Sequence, residues 1–334
     1  SVQPASFIRS SAQWATDSTL ALIFDLMLRN APDARAPAPF DPGSPPSGIV
    51  LLPDSETIVQ RHPFGLWQFT WRDRPEFRII PFEAEARAFI NTLHLMGRIT
   101  ALPDEDTNAA SRSGIDDTDT PGLEVLQLTA TTNQFSVSAT LARARGLVDQ
   151  RSVWIALPDG LAIYLERITA RGNLSLSELQ TASFSLEPFV HRNSTIAPVA
   201  IHHDRGEWLL EANAPAPKPQ QLGSWFNLAG NFGVILLGPD PWVLSGSLAG
   251  EETVPVIHPA NRGQARHDAH EVIAQRAVIL VPGQDHRATA ELARTLAREG
   301  DLQTGTVLFR VKDWLIDVRL DGRVPETRVT PVTR

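Results

Sequence analysis

The stretch Ser152-Val-Trp-Ile-Ala-Leu-Pro-Asp-Gly-Leu-Ala-Ile-Tyr164 holds two short apolar runs joined by Leu157-Pro-Asp-Gly-Leu161. Runs this short, rich in β-branched and aromatic residues and bounded by turn residues, suit strands better than helices. Pro158 presets its own φ, and Gly160 is free to take the positive φ that a tight turn demands. The stretch therefore predicts a β-hairpin with arms over 152–157 and 161–168.

The same pattern extends in both directions. Upstream, strands are predicted at 49–52, 57–60, 67–71, 78–80, 125–129 and 135–141. Downstream they are predicted at 182–186, 208–211, 225–228, 232–237, 272–281 and 307–320. Phe135, Val137 and Ala139 alternate with Ser136 and Ser138, which predicts one buried and one polar face. Many strands separated by turn signals mean a sandwich or a barrel. One helix interrupts the series at 285–298, with Gly300 placed as its C-terminal stop.

The front of the chain differs. Phe7, Ile8, Trp14, Leu20, Ile23, Phe24, Met27 and Leu28 recur at helical spacing, so residues 1–30 are expected to be helical. Residues 31–47, rich in Pro, Ala and Gly, read as a linker. Residues 48–334 form the β domain, with a division into subdomains left open near the Pro-rich interval 211–222. The fold class is mainly β, a large antiparallel β-sandwich preceded by a short helical segment.

Composition narrows the function. The chain of 334 residues carries a net charge of −8, which disfavours nucleic-acid backbones as partners. It has no cysteine, so thiolate metal sites and cysteine nucleophiles are excluded. No apolar run approaches the ~20 residues of a membrane-spanning helix. The chain opens at Ser1 with no signal peptide, as a mature form or a fragment would. An extracellular or periplasmic location is expected, with a cytoplasmic one left open.

Three stretches together resemble a known family. The first is Gln60-Arg-His-Pro-Phe-Gly-Leu-Trp-Gln-Phe-Thr-Trp-Arg72, running on through Arg78 to Glu83 and then Asn91 to Gly97. The second is the hairpin 152–164. The third is Ala277-Val-Ile-Leu-Val-Pro-Gly-Gln-Asp-His-Arg-Ala-Thr-Ala-Glu291. Their order is similar to the back half of polysaccharide lyases of the hyaluronate, chondroitin and xanthan type. In that family a helical toroid precedes an antiparallel β-supersandwich. The related sandwich of sugar mutarotases and of several glycoside hydrolases has similar strands. The resemblance implies a carbohydrate-active domain with a helical catalytic domain as partner. It does not imply that this chain is catalytic, because the family's catalytic Asn, His and Tyr lie mainly in the toroid. Tyr164, the only tyrosine, is expected in the core rather than as a base.

Several residue groups are candidates for chemistry. Trp67, Phe69 and Trp71 share a strand face, with Arg72 and Arg74 following. Exposed indoles stack on sugar rings, and arginine clamps carboxylates bidentately. The competing expectation is that this aromatic face is core. Glu83 and His94 could serve as acid and base if the fold brings them together, with Arg72 and Asn91 near the substrate. A surface pair of Glu83 and Arg87 on a short helix is the alternative.

Candidate metal ligands are His202, His203 and Asp204, and His267, Asp268, His270 and Glu271 with His258 and Asn261. Adjacent histidines on a strand face opposite ways, which weakens the first. The spacing of three between His267 and His270 suits a helical turn. Asp116, Asp117 and Asp119 leave a structural calcium open, although an EF-hand pattern is missing; no other cofactor is expected.

The expected function is a carbohydrate-active sandwich within a polysaccharide-degrading enzyme, binding an acidic or neutral poly- or oligosaccharide. Two alternatives stay open: a non-catalytic structural or adhesive cell-surface protein, and a sugar epimerase-like sandwich.

Overall fold

The computed structural model describes residues 48–62, 65–71, 76–81, 94–96, 100–103, 123–131, 134–144, 147–180, 183–185, 199–210, 218–228, 230–249, 252–260, 265–299 and 305–332. The helical segment and the linker expected over 1–47 lie outside them. Residues from Pro46 to Arg334 cluster as one compact unit. The described strands on both sides of 211–222 enter the same two large sheets.

The first sheet contains β1 (Gly48–Leu52), β2 (Thr57–His62), β3 (Gly65–Thr70), β4 (Glu76–Pro81) and β5 (His94–Met96). It continues through β12 (Ser183–Ser185), β19 (Glu252–Pro259), β18 (Trp242–Ala249) and β15 (Gln220–Leu222). The second sheet has nine strands as well. In spatial order they are β14 (Gly206–Leu210), β13 (Val199–His203), β16 (Trp225–Leu228), β17 (Phe232–Leu237), β21 (Val272–Pro282), β10 (Ala162–Ala170), β9 (Val148–Ala156), β8 (Phe135–Ala144) and β7 (Leu123–Ala130). A small sheet joins β20 (Ala265–His267), β11 (Leu174–Gln180) and β6 (Thr100–Pro103). Another joins β22 (Thr306–Val311), β23 (Trp314–Arg319) and β24 (Glu326–Pro331). A single described α-helix, α1 (His286–Glu299), follows β21.

Alternation along each strand sorts the side chains into two cores. Trp154, Tyr164 and Val278 of the second sheet meet Trp67, Phe69, Phe77, Phe184 and Trp242 of the first. Trp154 lies 4.2 Å from Tyr164 within its own sheet and 4.8 Å from Phe69 across the gap, centroid to centroid. Aromatic pairs at such distances add roughly 0.5–1.5 kcal/mol each beyond their area burial. The opposite face of the second sheet, with Val153, Ile155, Ile163, Leu165 and Ile279, packs on Ala293 and Leu296 of α1 and on Phe309 and Ile316 of the small sheet. The second sheet is thus a middle layer, buried on both faces. That is why the hairpin arms read as unbroken apolar runs rather than as alternating strands.

The hairpin of β9 and β10 forms as its turn predicts. Gly160 has φ 82, and its N–H donates to the Leu157 carbonyl at 3.0 Å. The helix also forms where expected. Asp285 precedes it and accepts the Ala288 N–H at 2.8 Å, a bond that holds its carboxyl below the usual range.

Three expectations need correction. Ser136 and Ser138 of β8 are buried instead of solvated, and the Ser138 hydroxyl lies 3.4 Å from that of Thr327 on β24, so a small sheet covers the polar face. The single run 307–320 is two strands, because Lys312 adopts φ 52 and turns the chain. β18 and β19 were not expected as strands, since Gly246, Pro255 and Pro259 interrupt their pattern. Within β19 the described pairing with β12 covers Val256 and Ile257, so Pro255 stands where β19 has a described strand partner on one side only.

Candidate functional site

Of the residues singled out from sequence, Arg72, Arg74, Glu83 and Asn91 lie outside the described residues. His94 begins β5 and pairs in register with Arg78 of β4 and Ser185 of β12. Trp67 is fully buried and stacks on Phe77 at 4.7 Å, with the His62 ring at 5.1 Å. Its indole has no open face for a sugar ring, so here the aromatic stripe is core. Trp71, one residue past β3, is half-buried and stacks on Phe69 at 5.9 Å. Its N–H donates to the Glu56 carbonyl at 3.1 Å.

No cluster of three or more metal-ligating side chains exists among the described residues. On β13, His202 stacks on His286 at 4.5 Å and lies 3.1 Å from Glu207. Its neighbour His203 instead accepts the Arg205 N–H at 3.2 Å. His267 ends β20 rather than occupying a helical turn, and His270 sits in a tight turn at φ 68. His258 pairs with Ser245, Oγ to Nε2, at 2.8 Å. The aspartates 116, 117 and 119 lie outside the described residues.

A buried polar network lies between the two large sheets. Tyr164 Oη donates to Glu166 Oε2 at 2.6 Å, and Gln150 Nε2 donates to the same oxygen at 2.6 Å. Arg276 lies 3.4 Å from Glu166 and 3.1 Å from Asp240, so one guanidinium bridges two carboxylates. Glu166 is completely buried, and Tyr164 nearly so. Desolvation, together with the nearby Glu166 charge, pushes the phenol well above its ordinary value. The network ties β9, β10 and β21 of the second sheet together and, closed to solvent, has no opening for a substrate.

One open recess among the described residues lies on the other face of the second sheet. A recess of about 380 Å³ is lined by Asp149, Arg151, Arg167, Thr169, Arg171 and His270, with Asp321 at its rim. Arg151 on β9 and Arg167 on β10 are direct cross-strand partners, as are Asp149 and Thr169. Between Ile168 and Thr169 the pairing of β10 with β21 slips by a bulge, of the kind that re-aims side chains beside functional sites. Arg171 lies 3.6 Å from Asp149. Burial pulls the Arg167 guanidinium below its ordinary value; Asp321 acts against this and Arg151 with it.

Sequence reasoning passed over Arg151 and Arg167, although the signal was present. The turn at 157–161 sets the hairpin register, and counting outward from it places the two arginines opposite each other.

No family model matches the chain. No curated protein matches it either. Among solved structures, a heparan sulfate lyase from Pedobacter heparinus is similar at 9% identity and a TM-score of 0.42, over 98% of this chain and 48% of the lyase. Heparinase III is similar at 7% identity and a TM-score of 0.36, over 83% of this chain and 43% of that one. An α-galactosidase from Lactobacillus brevis is similar at 9% identity and a TM-score of 0.40, over 72% and 41% respectively. The chain spans about half the length of the first of these and less than half of the other two. No described helix is long and apolar enough to cross a membrane.

Proposed function

We propose that this protein is a carbohydrate-active β-sandwich, part of a polysaccharide-degrading enzyme, that binds an acidic glycan. One observation carries the reading. In a chain of net charge −8, Arg151, Arg167, Arg171 and His270 gather around one recess and outnumber its two carboxylates, Asp149 and Asp321. Guanidinium forks match carboxylate and sulfate oxygens in geometry and charge. A recess that collects them selects anionic ligands over neutral ones.

In this reading the chain contributes binding, and a helical domain elsewhere in the enzyme contributes the main chemistry. Glu83, His94 and Arg72 are kept as candidates for acid–base work, and Trp71, Arg74 and Asn91 for contacts along the chain of sugars. An extracellular or periplasmic location suits a polymeric substrate.

Titration with uronate-containing oligosaccharides, followed by tryptophan fluorescence, tests the reading. A saturable response to acidic but not to neutral oligosaccharides is expected. No response at millimolar ligand would sink it. The ultraviolet absorbance of an unsaturated uronate product reports separately whether the chain alone cleaves; a flat trace with intact binding leaves the binding role alone.

A further inference from the structure

We infer that the facing pair Arg151 and Arg167 is an oxyanion subsite, built to hold one carboxylate, sulfate or phosphate group of a ligand. The inference rests on the acidic-ligand reading above and adds where the anion sits and what the free protein gives up to hold it.

The argument starts from an arrangement that folding alone disfavours. Like charges directly opposite on paired strands repel, and here the register sets the two arginines opposite each other, with the charge of Arg151 acting on Arg167. Both are partly withdrawn from water. The Nε of Arg151, and the Nε and Nη1 of Arg167, are shut off from solvent with no hydrogen-bond partner. Buried donors without acceptors are destabilising, and charged ones more so.

The surroundings keep the pair in place. Gly305 has φ 80, and a Cβ there would stand 1.7 Å from Arg167 Nη1, so the absence of a side chain admits the guanidinium. The nearby carboxylates do not cancel the charge. Asp149 is taken by Arg171, and Asp321 acts on Arg167, which leaves Arg151 without a matching anion among the described residues.

Two further features mark the place as shaped. The bulge opposite Ile168 and Thr169 leaves Ile273 of β21 as the extra residue beside the recess. His270, a non-glycine residue in the left-handed region, is held by its N–H bond to the Ala170 carbonyl at 3.0 Å. An oxyanion in the recess, which both arginines line, would offset their mutual repulsion; a neutral sugar hydroxyl would not.

The test compares wild type with Arg151→Gln, Arg167→Gln and the charge-keeping Arg151→Lys and Arg167→Lys. The probes are sodium sulfate, sodium phosphate and sodium glucuronate, each against sodium chloride at equal ionic strength. Calorimetric titration and thermal melting provide the readouts. At least one of the three oxyanions should bind wild type and raise its Tm more than chloride does, and the preferred probe identifies the source of the anion. Each glutamine variant should bind that probe at least tenfold more weakly. Arg151→Gln, relieved of the repulsion, should melt no lower than wild type without ligand. The lysine variants should fall in between, because a point charge remains and the fork is lost.

Equal anion response in wild type and all folded variants would overturn the inference, as would equal response to chloride. If an acidic oligosaccharide binds wild type and variants alike, the acidic-glycan reading stands and the subsite falls. If sulfate, phosphate or glucuronate binds as expected while no oligosaccharide does, the subsite stands and that reading falls.

Discussion

The hydroxyl of Tyr164 donates to the carboxylate of Glu166, two residues along the same strand, at 2.6 Å in the centre of the inter-sheet core. A strand places residues i and i+2 on one face, so the pair is local in sequence yet buried on all sides. Arg276, reaching from the neighbouring strand, supplies the cation beside Glu166.

Tyr164 is the only tyrosine, so phenolate absorbance reports a single group. Its pKa is raised in the folded state, first by desolvation and then by Glu166. The folded state therefore keeps its proton where the unfolded chain loses one. Stability is fully present below the ordinary phenol value of 10.0 and falls as pH rises above it. Ultraviolet pH titration should show no phenolate before unfolding. A reversible phenolate signal in folded protein near that ordinary value would contradict the burial.

Within the same network, Glu166→Ala should cost about 3–5 kcal/mol, because it leaves Arg276 buried with one carboxylate fewer. Tyr164→Phe should cost less, about 1.5–3 kcal/mol for a hydrogen bond to a charged group. Urea midpoints measure both, and the reverse ranking would refute the assignment of Glu166 as the centre of the network.

His62 is buried beside Trp67, and desolvation lowers its pKa from 6.5 to about 3. The unfolded state thus binds a proton that the folded state refuses. Stability is complete above pH 6.5 and declines as pH falls toward about 3. The loss over that window is at most about 4–5 kcal/mol. His62→Gln should flatten this slope in acid melting curves, and an unchanged slope would assign acid sensitivity elsewhere.

Gly160 couples the hairpin turn to the same histidine. It has φ 82, and a Cβ there would approach His62 Nδ1 to 2.7 Å. Gly160→Ala should therefore destabilise by about 1 kcal/mol or more. Adding His62→Ala should recover the steric part and leave the backbone part, a coupling that a double-mutant cycle measures. Strict additivity would mean that the contact contributes nothing.

Trp67 and Trp71 should separate in stability. Trp67→Ala, in a fully buried site, should cost about 3–5 kcal/mol. Trp71→Ala, at a half-buried position past the strand end, should cost clearly less. Denaturant midpoints of equal depression would show that Trp71 is as much a core residue as Trp67.

Much of the fold was legible in the chain itself. The turn at 157–161, the runs at 225–228 and 232–237, and the helix after Asp285 are local signals, and each formed where its residues placed it. Period-two patterning and turn chemistry act over a few residues, so they survive without knowledge of the rest. They fail where a strand is broken by proline or glycine, as in β18 and β19, because there long-range pairing overrides local preference.

What the sequence by itself determined is the strand-rich class, the hairpin register and the core placing of Tyr164. Tertiary structure decided which faces are covered. It buried Ser136 and Ser138 under a small sheet, turned Trp67 inward, and left Arg151 and Arg167 facing a recess. Those outcomes depend on which distant strands pack together, which no local pattern records. The hairpin's period of two puts Arg151 and Arg167 on one face. Only the layers stacked against that face make it a site and not a solvated edge.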